Sequence, residues 1–272
     1  MFRIPGSPLL AAAAIAGAAL FSSPSVAEDP VTLVPYTARY ALHLLETRVG
    51  DIASVNGGMD ISVIRGCEAW TSQNHLTMTG GAAENPSIEV DAESMIREDI
   101  EGRWMEFEST VRVGGELTET IRGRAELDAD GQGTATFKKP REVSFPLPKG
   151  TSFPISATRE SIRQIWQDGA KLVTYLMFDG ESPSPMRGTD ILAGQPEPIQ
   201  GGIDDPDNLV QGDLRRVVTT LFEFSETDSE PETTYIVDML PNGVATRLTV
   251  DMGFMVVESR LIDIAAVPAP KC

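Results

Sequence analysis

Cysteine and histidine are scarce in this 272-residue chain: there are two of each, Cys67, Cys272, His43 and His75. A Ser-His-Asp triad would have to use one of those two histidines, and no G-x-S-x-G elbow is present. Both histidines fall on strand-like segments, where an exposed or packed histidine is the expected reading. Basic residues are also few. Lys and Arg number 22 against 40 Asp and Glu, for a net charge of −18, and no run of five to eight basic residues occurs. A chain of this sign does not seek nucleic acid or anionic lipid headgroups through its overall field. No glycine-rich phosphate loop follows a strand and opens a helix. Aromatics make up 6% of residues, so each one carries a large share of the packing.

Long apolar runs are missing apart from one. Leu9 to Phe21 is uncharged and Ala-rich, Arg3 precedes it, and the small residues of Ser25-Val26-Ala27 follow. The run is short of the ~20 residues that a spanning helix needs. The pattern predicts a secretory signal peptide over 1–27, cleaved after Ala27, and a soluble exported chain over 28–272. No cysteine closely follows the run, which argues against a lipoprotein anchor, and no membrane-spanning segment is expected after cleavage.

Export bears on the cysteines. Disulfides persist in oxidising compartments, and two cysteines allow one intramolecular bridge, Cys67–Cys272. It would close a loop of about 205 residues, for which the chain-entropy model gives roughly 5 kcal/mol as an upper figure. A free reactive thiol and an intermolecular bridge are the alternatives. Gly66-Cys67 as a transpeptidase nucleophile would need a free thiol and an activating histidine.

What is abundant is strand pattern. "YTARYALHLLE" places Tyr40, Leu42 and Leu44 on one face, and "GGMDISVIRG" alternates Met59, Ile61 and Val63. "RWMEFESTVRVGG" aligns Met105, Phe107, Ser109, Val111 and Val113. In "ELTETIRGRAELD", Glu119 and Gly123 interrupt a face made by Leu117, Ile121, Ala125 and Leu127. About a dozen such segments, joined by turns such as "PNG" at 241–243 and "DMGF" at 251–254, predict one all-β, many-stranded antiparallel domain over 28–272. One segment differs. "SATRESIRQIWQDG" carries Ile162, Ile165 and Trp166 at helical spacing, with Ser156 or Thr158 as cap and Asp168-Gly169 as stop. It predicts a short helix over 158–168. The Pro, Gly and Asp-rich stretch 181–213 reads as a long loop.

Acidic motifs point to turns. "DADGQG" begins like a calcium loop at Asp128, but its twelfth position is Lys139, where a bidentate Glu is required. "GGIDDPDN" reads as acidic loop solvation. No metal and no cofactor is expected. Carboxylate pairs for glycoside hydrolysis are numerous by chance, and sequence cannot set their separation.

Four stretches in order, "GGMDISVIRGCEAWTSQNHL", "RGRAELDADGQGTATFKKP", "FPLPKGTSFPISATRESIRQIWQDG" and "MFDG", together with Cys272, resemble the EipB family of alphaproteobacterial periplasmic cell-envelope integrity proteins. The resemblance spans about 36–272. It implies a β-spiral of antiparallel strands, similar to the open barrels of the lipoprotein carriers LolA and LolB. It implies that Cys67 and Cys272 pair, and that the chain supports envelope integrity without an established enzymatic activity. Where members commonly have His after the F-P-x-x step, this chain has Ala157.

Three functions follow as expectations. The first is a non-catalytic factor that binds an envelope lipid, a peptidoglycan component or a periplasmic protein, with Trp70, Trp104, Phe107, Trp166 and Phe178 as candidate ligand-lining residues. Trp104 and Phe107 differ in parity, so only one of them can face a given cleft. The second is an envelope hydrolase or transpeptidase of undescribed type. The third is a scaffold whose partner adds a strand to an open sheet edge.

Overall fold

The computed structural model describes residues 32–48, 54–81, 88–224 and 231–272. The expected signal peptide therefore lies outside the described residues. Val31–Cys272 forms one compact unit. Its strands are β1 (Tyr36–Thr47), β2 (Ser54–Arg65), β3 (Ala69–Gly81), β4 (Ile88–Asp99), β5 (Trp104–Val113), β6 (Glu116–Leu127), β7 (Gly133–Lys139) and β8 (Val143–Leu147). A two-residue β9 (Thr151–Ser152) leads into helix α1 (Pro154–Ile162) and a π-helical turn (Arg163–Gln167). The chain continues through β10 (Leu172–Met177), β11 (Met186–Leu192), β12 (Arg215–Glu223), β13 (Thr233–Met239), β14 (Ala245–Asp251) and β15 (Met255–Ala266).

All strands join one 15-stranded sheet, in the order β8-β7-β6-β5-β4-β3-β2-β1-β15-β14-β13-β12-β11-β10-β9. Two meanders thus meet at the β1–β15 ladder, where Tyr40 faces Leu261 and Leu42 faces Ser259. The sheet curls into a nearly closed barrel whose edges, β8 and β9, form no ladder with each other. The short turn Pro148–Gly150 joins them, and it is held against the β6–β7 turn, where Thr151 N–H donates to Gly131 O at 3.1 Å. Pro146, with no N–H to offer, sits in edge strand β8, which suits a strand with one unpaired side. Every pairing is antiparallel except β9–β10, which is parallel. The helix explains that exception, because α1 is the crossover that parallel neighbours require.

The interior follows from strand alternation. Tyr36, Ala38, Tyr40 and Leu42 turn inward along β1, while Thr37 and Arg39 face solvent. Five phenylalanines gather in one cluster. Phe107 lies 5.0 Å from Phe137 and 5.6 Å from Phe178, both edge-to-face, with Met105, Leu147 and Phe153 packed around them. Such pairs add about 0.5–1.5 kcal/mol each beyond area burial. The break at Gly123 now has a reason: a Cβ there would lie 2.3 Å from the Phe107 ring. Gly180 of the "FDG" motif has φ +87° and would place a Cβ 2.5 Å from the same ring. Only glycine meets both demands there.

The helix starts earlier than the sequence spacing predicts. Pro154 occupies its first position, where the missing N–H costs nothing, and neither Ser156 nor Thr158 caps it. The cap comes from another element. Glu98 of β4, fully buried, accepts from Ile155 N–H (2.7 Å), Ser156 N–H (2.8 Å) and Ser156 Oγ–H (2.5 Å). The end falls where expected, at Asp168 and at Gly169 with φ +71°. Ile162 packs on Leu33 and Trp70, and Ile165 on Val173 and Val217.

The 181–213 segment is not a continuous loop, because β11 lies within it. That strand pairs with β10 on one side and β12 on the other. Its flanking prolines and glycines masked a short strand whose pairing is entirely long-range on one side. The "GGIDDPDN" carboxylates are taken up by backbone. Asp205 accepts from Leu209 N–H and Val210 N–H, and Asp207 from Ala266 N–H. Asp128 of "DADGQG" accepts from Asp130 N–H and Gln132 N–H, a hairpin turn.

Cys67, in the β2–β3 turn, is bonded to Cys272, with Cα atoms 5.6 Å apart. The bridge ties the C-terminal tail to the end of the β2–β3 hairpin. No helix among the described residues is long and apolar enough to cross a membrane.

Candidate functional site

Beneath α1, the inner faces of β10 to β13 line an open-mouthed cavity of about 370 Å³. Strand alternation builds its walls. Met177 comes from β10, Val217 and Leu221 from β12, and Val237 and Met239 from β13. Helix α1 adds Ala157 and Ser161, which share a face because they are one turn apart.

Against these apolar walls stands a buried carboxylate ringed by hydroxyls. Asp190 of β11 is 6% exposed. It accepts from Ser161 Oγ–H (2.5 Å), Thr219 Oγ1–H (2.7 Å) and Tyr175 O–H (3.1 Å). The opposing β11 residue, Gly188, leaves room for the Tyr175 ring, since a Cβ there would lie 2.0 Å from it. Burial, and then the charge of Asp190, hold the Tyr175 phenol far above its ordinary range.

At the mouth lie Asp179 and Glu181, in the turn after β10. Asp179 accepts from Glu181 N–H at 2.9 Å. Burial raises the Asp179 carboxyl, against the pull of backbone hydrogen bonds. Glu181 is raised by desolvation and then by the charges of Asp179 and Glu119, although the residue as a whole is exposed. Tyr235 is raised by burial and then by the same two mouth carboxylates.

A larger groove, about 630 Å³, crosses the solvent face of β15, β1, β2, β3, β4 and β5. Its floor is polar and partly paired. Arg39 meets Asp263 at 3.1 Å, and His75 Nε2 lies 3.3 Å from Asp91. His75, Asp91 and Glu93 bring potential ligand atoms within 4.8 Å of one another, a set that could hold a divalent ion. Arg112, 3.8 Å from Asp91, already supplies a positive charge there. The groove's lining side chains are mostly polar or charged, whereas the cavity beneath α1 sets aliphatic and thioether walls around a few polar groups, so that cavity is the better candidate site.

None of the five expected ligand-lining aromatics faces either cavity. Trp70, Phe107 and Phe178 are core, each buried to 4% or less. Phe107 borders only a small crevice of about 140 Å³. Trp104 lies on the opposite face from Phe107, its ring between the guanidiniums of Arg97 and Arg124 at 5.0 and 4.9 Å. The parity argument thus holds, with Phe107 inside. Trp166 is fastened under Arg215, and its Nε1–H donates to Asp213 O at 2.8 Å. With so few aromatics, the core takes those that point inward. The cavity is lined instead by Tyr, Met and Val side chains, which the sequence offered no signal to single out. Ala157, 6% exposed, borders the cavity. A histidine at this position would stand one helical turn from Ser161.

A curled, almost closed and mainly antiparallel sheet with a helix packed on its inner face defines a barrel-like architecture. The chain matches the EipB-like family model over residues 27–268 and belongs to that family. It is similar in fold to a crystal structure titled as a beta-barrel-like protein of a domain of unknown function from Brucella abortus. The TM-score is 0.78 at 22% identity, over 88% of this chain and 100% of that one. At that identity the likeness speaks to fold alone. No curated protein matches the chain.

Proposed function

We propose that the protein is exported by its N-terminal segment and serves the periplasmic cell envelope as a non-catalytic binding protein, holding an envelope component in the cavity beneath α1. The observation that carries this reading is the cavity itself. It is interior, about 370 Å³, and walled by apolar side chains around a few convergent polar groups, the usual build of a small-molecule site. The resemblance to envelope-integrity proteins and the signal pattern over 1–27 support the compartment. The chemistry of the cavity supports binding over turnover. Its serine, Ser161, donates to Asp190, and His43 and His75, the chain's two histidines, stand on β1 and β3. Ser161 therefore has no imidazole to take its proton.

Native mass spectrometry of the oxidised protein, taken from the periplasm without reductant, tests the proposal. A mass above that of bridged 28–272 that is lost on denaturation is the expected result. A bare mass, together with failure of Leu221→Trp to change binding of any added amphiphile, overturns it. A co-purifying protein in place of a small ligand would transfer the role to a docking surface.

A further inference from the structure

We propose that the cavity beneath α1 selects a ligand whose apolar body ends in a positively charged amine or ammonium group. This deepens the binding reading and rests on it. The argument begins with how the fold treats its other buried acids. Among the described residues, five carboxylates are buried: Glu98, Asp99, Asp190, Asp238 and Glu258. Four have a positive partner. Asp99 meets Arg103 at 3.0 Å, Asp238 meets Arg216 at 2.8 Å, Glu258 is held by Arg247 and Arg260, and Glu98 receives the N-terminus of α1. Asp190 alone has only neutral partners, the hydroxyls of Ser161, Tyr175 and Thr219.

The exception coincides with the cavity. No Lys, Arg or His lines it, whereas Asp179 and Glu181 add two more carboxyls at its mouth. Among the described residues neither of these forms an ion pair; Glu181 faces the charges of Asp179 and Glu119, and Asp179 that of Glu232. Three carboxyls around one low-dielectric space repel an incoming phosphate or sulfate. They attract a cation strongly, because Coulomb energy grows as water is excluded. The hydroxyls occupy Asp190's oxygens but carry no charge, and a bound ammonium would supply the positive partner that the other four buried carboxylates have. The walls set the rest of the ligand: Met177, Val217, Leu221, Val237 and Met239 offer aliphatic and thioether surface to a chain.

Three probes with one chain length separate the terms: octylammonium, octyl glucoside and octyl sulfate, titrated below micelle formation into oxidised 28–272 at pH 7 by calorimetry. Octylammonium should bind about tenfold or more tighter than octyl glucoside, with octyl sulfate weakest, a gap of roughly 1.4 kcal/mol or more. The double variant Asp179→Asn/Glu181→Gln should shrink that preference, and Asp190→Asn should shrink it further, with circular dichroism confirming that each variant folds. Glu93→Gln, on the outer groove, should leave it intact, which separates the cavity from the general negative charge of the chain. Equal binding of octylammonium and octyl glucoside, or a preference lost in Glu93→Gln but kept in the cavity variants, overturns the cation inference while the binding reading stands. No binding by any of the three overturns both.

Discussion

Removing the Glu98 carboxylate should unseat α1, and the structure sets the size of the effect. Glu98 stands where a helix N-cap side chain would, yet it comes from β4, and it serves the second and third helical residues, Ile155 and Ser156. Glu98→Ala leaves two buried N–H donors unpaired. Each costs about 1–3 kcal/mol, so the gross loss is roughly 2–6 kcal/mol, from the top of the range for helix caps upward. The Ser156 hydroxyl can rotate to another acceptor and adds little. Against this, the variant no longer desolvates a carboxylate, a cost visible in the direction of its titration: burial raises the Glu98 carboxyl despite its three donors. A net loss of about 3 kcal/mol is expected in urea unfolding at pH 7. Glu98→Gln keeps one acceptor oxygen and should lose about half as much. The raised carboxyl also fixes a sign. The native state binds this proton more tightly than the unfolded chain, so the contribution of Glu98 is greatest below the ordinary glutamate range and falls as pH rises through the raised value. Wild type should therefore gain on Glu98→Gln as pH is lowered. A loss under about 1 kcal/mol for Glu98→Ala, or Gln no better than Ala, would refute the tertiary cap.

Other outcomes follow from single contacts. Cys272→Ser, which opens a loop of 205 residues, should cost about 2–5 kcal/mol in denaturant unfolding, and reductant should bring wild type to the same midpoint. Phe178→Ala, in the middle of the aromatic cluster, should cost about 3–5 kcal/mol, whereas Trp104→Ala on the solvent face should cost under about 2 kcal/mol and leave the fold intact; outright unfolding of the latter would mean Trp104 is core. Asp179→Asn/Glu181→Gln removes two carboxyls whose native values are raised. It should therefore raise the melting temperature at pH 7, and the gain should vanish as acid protonates both groups in wild type. An unchanged difference across pH would show that the two carboxyls are not raised in the native state. Gly180→Ala should destabilise through both its φ of +87° and the Phe107 ring, measurable as a lowered unfolding midpoint.

Much of the architecture was local, and so it was legible. Alternation along β1, β2 and β5 named the residues that face inward, the "PNG" and "DMGF" turns fell between the strands they join, and the Ile162–Ile165 spacing marked the one helix. A strand's period of two and a helix's of 3.6 are properties of a few consecutive residues, so a single sequence carries them. The cysteine count restricted an intramolecular bridge to one pairing, and the structure contains it. The tertiary structure decided what depends on distant residues meeting. Asp190 acquires its role from hydroxyls 29, 15 and 29 positions away, on three different elements. Glu98 caps a helix 57 residues downstream. β11 is a strand because β10 and β12 flank it, although its own flanks read as loop. Phe107, Phe178 and Trp70 went to the packed core clusters, leaving the cavity to tyrosine, methionine and valine side chains. Local pattern sets which way each side chain points. Only the closing of the sheet sets which of those side chains share a low-dielectric space, and that sharing turns three ordinary carboxylates into a candidate site.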